Sequence, residues 1–251
     1  MTWASSRKVI YAVLFIVMLT ALGVYGFKST LFPTPTCTDN KQNGYEEGID
    51  CGGMCARKCV DQIIPLRVVW ARVLSVDKGV YDLVGLVSNR NLDSAPFTLN
   101  AVFTVYNQKA EVIFTRRVNI TPPTTGDIPV ILQNIVLKDT PKNLIITLEE
   151  GTSYKTPTAF QTVQISVTNT RFENGDIPRA YATIRNLTRG RFINIPVRIV
   201  LYDGTENAIA TGQTLIESLD KDASKEVVFT WNEKFTTLPV VIKAYPILSP
   251  F

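Results

Sequence analysis

The sequence predicts an all-β protein: two tandem antiparallel β-sandwiches, preceded by one transmembrane helix and a small disulfide module. Three observations carry this. A single uncharged apolar run occupies Val9 to Phe27. All four cysteines lie between Cys37 and Cys59. From Ile63 onward, short Val-, Ile-, Thr- and Tyr-rich segments alternate in polarity between Gly, Pro, Asn and Asp turns, the pattern of half-buried strands. The expected segments are a cytoplasmic tail over 1–8, the helix over 9–27 and the cysteine module over 28–62. A first sandwich over 63–150, a linker over 151–160 and a second sandwich over 161–251 complete the chain.

Composition narrows the function classes. Of 251 residues, 45% are apolar and 19% charged, enough for a core and too few charges for a disordered chain. The chain has no histidine, which removes Ser-His-Asp and Cys-His catalysis and His-ligated metals. No G-x-S-x-G, phosphate loop or dinucleotide fingerprint occurs, so no enzyme activity is expected. A net charge of +4 is too small to suggest nucleic acid as a partner.

The apolar run V-I-Y-A-V-L-F-I-V-M-L-T-A-L-G-V-Y-G-F would form a helix roughly 28 Å long, close to the hydrocarbon thickness of a bilayer. Arg7 and Lys8 precede it and Lys28 follows, which places the tail in the cytoplasm and the remainder outside. Trp3, Tyr11 and Tyr25 stand near its ends, where amphipathic rings favour the interface. The competing reading is a cleaved signal peptide with Ala21-Leu22-Gly23 as its processing site. The run is longer than a usual signal core, so a retained anchor in the cell membrane is the expectation.

The stretch around Cys37, Cys51, Cys55 and Cys59 is nearly devoid of large apolar residues, so covalent staples are its natural stabiliser. Outside the membrane, four cysteines imply two disulfides, with three pairings open. Zinc is the alternative, but the spacing lacks the usual paired knuckles. Asp39, Asn43, Glu46 and Asp50 are oxygen ligands on a glycine-containing loop, the donor type calcium takes. Their spacing is not that of an EF-hand, and a solvated acidic turn is the simpler expectation, so no cofactor is expected beyond this calcium candidate. The run Q-N-G-Y-E-E-G-I-D-C-G-G-M-C resembles a Q-N-G-x-E-x-G-x-D-C-G-G-x-C motif of secreted and surface proteins, which implies an extracytoplasmic location.

The remainder repeats with a period near 97 residues, because Asn89 aligns with Asn186 and Tyr106 with Tyr202. Each copy has an apolar strand ending in Asn, a polar turn, then an apolar strand ending in Tyr plus Asn or Asp. In the second copy, Val197, Ile199 and Leu201 share a face, as do Val227, Phe229 and Trp231. This alternation predicts sheets buried on one face. Two units of about ninety residues match the size of immunoglobulin-like sandwiches. Phe103-Thr-Val-Tyr106-Asn107 and Ile199-Val-Leu-Tyr202-Asp203 resemble the signature of the FxLYD family of small immunoglobulin-like domains, common on microbial surfaces. The first copy departs from it at Val105 and Asn107, the second at Ile199. The resemblance implies a fold signature at Phe103, Tyr106, Ile199, Tyr202 and Asp203 and carries no catalytic residue.

Arginines crowd one stretch of the second copy. Arg185, Arg189 and Arg191, with Arg171, Arg179 and Arg198, would make a patch for an anionic partner if gathered on one surface. The acids of the following stretch would cancel them if the strands are neighbours. The overall expectation is a non-catalytic binding or scaffold protein of the cell envelope that meets a protein partner. The loops Asn89 to Pro96 and Asn186 to Ile195 are candidate contacts, and the alternative is a calcium- or glycan-dependent adhesin.

Overall fold

The computed structural model describes residues 3–26, 35–91, 94–96, 98–123, 126–151, 154–155 and 165–248. Helix α1 spans Trp3–Gly26, and its stretch Arg7–Gly26 has the length and composition to cross a membrane. It begins six residues before the predicted start at Val9, so Arg7 and Lys8 ride on the helix. No proline or glycine interrupts Ala4 to Lys8, and nothing local halts the helix there. Phe27 and Lys28 lie outside the described residues.

The chain divides into two units, Met1–Cys55 and Ala56–Phe251. In the first, Cys37 is bonded to Cys55. The second bridge joins Cys51 to Cys59, so the pairings interleave and no described cysteine is free. Turns dominate this module. Gly53 has φ +57°, and a Cβ there would lie 1.7 Å from the Tyr45 carbonyl oxygen. Only glycine satisfies both the left-handed conformation and that close approach.

The first sandwich is built from β1 (Arg67–Asp77), β2 (Val80–Asn89), β3 (Ala95–Pro96), β4 (Leu99–Asn107), β5 (Val112–Asn119), β6 (Gly126–Val136), β7 (Pro141–Glu150) and β8 (Tyr154–Lys155). Sheets β1-β2-β6 and β5-β4-β7 are antiparallel, and β3 pairs with β8. Tyr154 and Lys155 fall inside the expected linker, yet they extend this pairing, with Tyr154 buried. Positions 152–153 and 156–160 lie outside the described residues. The core follows period two: Leu99, Ala101, Phe103 and Val105 of β4 point inward, against Leu83, Val87, Val130, Leu144 and Ile146.

The second sandwich contains β9 (Ile165–Glu173), β10 (Arg179–Asn186), β11 (Phe192–Tyr202), β12 (Ala208–Leu219), β13 (Ser224–Thr230) and β14 (Val241–Pro246). Its antiparallel sheets are β13-β10-β9 and β12-β11-β14. Val197, Ile199 and Leu201 share its core with Val227 and Phe229, and Trp231 packs against them. The expected alternation of β13 is present, with buried Val227 and Phe229 between exposed Glu226, Val228 and Thr230.

Polar residues hold the strand ends. Asn89 and Asn186 are buried where β2 and β10 finish. The Asn186 amide donates to the carbonyls of Gly190 at 2.7 Å, Asp220 at 3.0 Å and Leu219 at 3.2 Å, while its oxygen accepts from Thr188. Asn89 donates to Ser94 and Pro123 carbonyls and accepts from Asn91. Asn107 and Asp203 form the next matching pair. Asn107 accepts the N–H groups of Lys109 and Glu111, and Asp203 those of Thr205 and Asn207, closing the hairpin turns. Hydrogen bonds hold the Asp203 carboxyl below the usual carboxylate range, that from the Thr205 hydroxyl foremost.

These arrangements generate two predictions. Asn186→Ala removes a buried amide that binds three carbonyls, and about 3 kcal/mol of stability should be lost, read as a lower denaturation midpoint of the detergent-solubilised chain. Gly53→Ala should prevent the native turn and scramble the two bridges. Disulfide mapping of a non-reducing digest checks it, and native pairing at full yield would contradict it.

Candidate functional site

Two central strands break the one-face expectation. Every residue of β2 from Asp82 to Asn89 is buried, and β11 is buried continuously from Ile199 to Tyr202. One face of each strand joins its own core. The other face of β2 carries Asp82, Val84, Leu86 and Ser88, flanked by Trp70, Arg72 and Leu74 of β1 and Pro129 of β6. The corresponding face of β11 carries Arg198, Val200 and Tyr202, flanked by Ala208 of β12 and Tyr245 of β14.

These faces meet. Val200, Tyr202 and Ala208 form a third apolar cluster with Trp70 and Tyr245 packed against it. Trp70 meets Tyr202 edge-on, with ring centroids 6.1 Å apart. Tyr245 donates its hydroxyl proton to Tyr202, and Lys243 lies 5.5 Å above the Tyr202 ring. Burial raises the pKa of both tyrosines above the ordinary phenol value. Across the junction Arg198 donates from Nη1 to the Pro129 carbonyl at 2.6 Å, and Arg72 donates to the Asn207 side chain. Burial pulls the Arg198 guanidinium below its usual pKa, and its Nε has no acceptor among the described residues.

Beside this seam lies a cleft of about 570 Å³. Leu74, Asp82 and Asn134 line it from the first sandwich, and Thr211, Trp231 and Phe235 from the second. Asp82 accepts the backbone N–H of Asn134 at 2.9 Å and a bond from the Gln133 side chain. Asn134 has φ 56° at a β-bulge between β2 and β6, so the carboxylate stabilises a left-handed turn residue. Burial nevertheless dominates and pushes the Asp82 carboxyl above its usual pKa. On the opposite wall, Trp231 and Phe235 meet at 5.4 Å and 87°, and Phe172 supports both. The Trp231 indole donates to the Thr211 carbonyl at 3.1 Å, while Asn174 exchanges two hydrogen bonds with the Phe235 backbone.

The residues singled out from sequence are distributed differently. Phe103 and Ile199 are fully buried core residues, whereas Tyr106 and Tyr202 project from the outer faces of their sheets. Cys37, Cys51, Cys55 and Cys59 are consumed by disulfides. The four candidate calcium ligands lie in one hydrogen-bonded loop, where the three carboxylates accept N–H donors and the buried Asn43 Oδ1 has no partner among the described residues. Asp50 accepts from Asp39 and Asn40, Glu46 from Asn43 N, and Asp39 from Lys41 N and the Asn43 amide. Among the described residues, Cys37, Glu46 and Cys55 group tightly enough for an ion, yet the two sulfurs are bonded to each other.

The arginines also scatter. Arg191 bridges Asp220 at 3.1 Å, Arg171 bridges Glu226 across the sheet at 2.5 Å, and Arg198 is committed to the junction. Arg185 and Arg189 are exposed. The candidate contact loops are anchored inward: Asn91 binds Ile64 through both backbone groups, and Ile195 belongs to the core because β11 already begins at Phe192. Sequence reasoning missed Trp70, Asp82, Arg198 and Trp231 as junction residues. One signal was present: Leu83-Val-Gly-Leu-Val87 and Ile199-Val-Leu-Tyr202 are continuous apolar runs, the mark of strands covered on both sides.

Asp82 generates a pH prediction. A carboxyl whose folded pKa is raised favours the protonated form, so its burial opposes folding above that pKa and ceases to do so below the unfolded value near 3.9. Asp82→Asn should raise the melting temperature at pH 7, and the advantage should shrink as pH falls towards about 4. Thermal melts of both forms across that range check it; a gap independent of pH would contradict it.

No family model matches the chain, and no curated protein matches it. Among solved structures it is similar to red sea bream transglutaminase, at 10% identity and a TM-score of 0.23. The match covers 74% of this chain and 29% of that one, so the chain spans under a third of that protein's length.

Proposed function

We propose that this chain is a single-pass, membrane-anchored binding or scaffold protein of the cell envelope, working outside the cytoplasm and without catalysis. The observation that carries this reading is the junction of the sandwiches. Two sheets joined face to face through Trp70, Tyr202 and Arg198 present one preorganised surface, which lowers the ordering cost of binding a partner. Helix α1 supports the anchor, with Arg7 and Lys8 near its start favouring a cytoplasmic N-terminus. Two disulfides favour an oxidising compartment. The tandem, FxLYD-like relation is supported by the matched roles of Asn89 and Asn186 and of Asn107 and Asp203.

Protease shaving of intact cells carrying a C-terminally tagged chain tests the reading. The tag should be removed by external protease while the N-terminal helix stays in the membrane pellet. A protected tag, or a mature chain whose N-terminal sequence starts at Val24 or later, would overturn the anchored topology.

A further inference from the structure

The cleft beside the junction combines three features that converge on one ligand chemistry. Its volume, about 570 Å³, suits a side chain with its flanking backbone. Its walls are already set: the Trp231 indole is held by Thr211, the Phe235 backbone by Asn174, and the Asp82 carboxylate by Asn134. Its described lining carries two acids against one cation. Asp82 and Glu233 line the cleft, and the lining cation, Lys234, is already bridged to Asp176 at 3.0 Å. Asp82 is 5% exposed and is met by neutral N–H donors, an expensive way to keep a carboxylate unless a cation completes it. Trp231 and Phe235, which line the same cleft from the second sandwich, offer the aromatic surface to which cations are attracted.

We propose that this cleft takes a cationic side chain, a guanidinium or ammonium group, from a protein partner, with Asp82 as counter-charge and Trp231 with Phe235 as the aromatic wall. Asp82 then has two roles: it caps the Asn134 bulge within the fold and leaves its remaining acceptor capacity for the incoming cation. A guanidinium has the donor geometry for such a carboxylate and stacks on aromatic faces. An ammonium supplies the same charge as a point donor. The inference rests on reading the chain as a binding protein, but its test does not depend on cellular location.

The experiment uses the full chain in uncharged detergent micelles, with the tripeptide acetyl-Gly-Arg-Gly-amide as probe and nitrogen-labelled indoles observed by NMR. The Trp231 indole signal, assigned by its loss in Trp231→Phe, should shift with an affinity of about 1 mM or tighter. The lysine tripeptide distinguishes ammonium from guanidinium. The citrulline tripeptide, equal in shape but uncharged, should bind at least tenfold more weakly. Asp82→Asn retains an oxygen for the Asn134 N–H, so the variant should fold, as its melt will show, and lose at least tenfold in affinity for the charged probes. No shift with either cationic peptide up to about 10 mM, equal binding of citrulline, or undiminished binding by folded Asp82→Asn would each overturn the proposal. The shaving experiment can fail while this one succeeds, and the reverse, so the two readings fall separately.

Discussion

Burial of both faces of β2 over Asp82 to Asn89 and of β11 over Ile199 to Tyr202 is the constraint on which the rest of the β region depends. A sheet in an ordinary sandwich gives one face to its core and the other to water. Here the central strand β2 has no solvent face from Asp82 to Asn89, and β11 has none from Ile199 to Tyr202. The outward residues Val84, Leu86 and Val200 are then as much core as Leu83 or Ile199. The ring pair of Trp70 and Tyr202 closes this additional layer. In consequence the sandwiches are partners in packing and not independent beads, and the cleft between them is a fixed feature of the surface.

The same layer holds ionisable groups that a purely apolar seam would not need. Arg198 is desolvated for one carbonyl contact, and Asp82 is desolvated while bonded to neutral donors. Among the described residues, neither forms an ion pair of the kind that Arg171 and Glu226 form on the open sheet. Exposed pairs of that latter kind contribute little. Buried, incompletely matched groups are costly, and their placement at a junction with an adjoining cleft separates them from ordinary surface charge.

Much of the architecture was legible because period two is a local property. Leu99 to Tyr106 and Ser224 to Thr230 alternate as half-buried strands must, and the apolar run at the start could hardly be anything but a helix. The repeated Asn and Asx positions were legible as matches, and their physical task, capping buried turns, emerged only with the geometry. The junction was not recognised, because Trp70 and Arg198 look like routine outward residues until a second sheet covers them. In the arginine stretch, residues leave on opposite strand faces: Arg171 and Arg191 pair with acids, the neutralising alternative, while Arg198 enters the junction. In the acidic loop the letters alone do not distinguish a carboxylate that caps backbone N–H groups, as Asp39, Glu46 and Asp50 do, from one that holds a cation.

The interleaved bridges of the cysteine module have a mechanical consequence. From Cys37 to Cys59 the bare chain runs 22 steps, about 75 Å when drawn out. With Cys37 bonded to Cys55, a pull along the chain crosses the bridge and then only the four steps to Cys59, about 14 Å. The Cys51 to Cys59 bond lies outside that load path and secures the loop that the first bond bypasses. The stretch from Cys37 to Cys59 is therefore nearly inextensible while oxidised. Reduction would convert it into slack and would change the tension reaching the sandwiches without altering their fold.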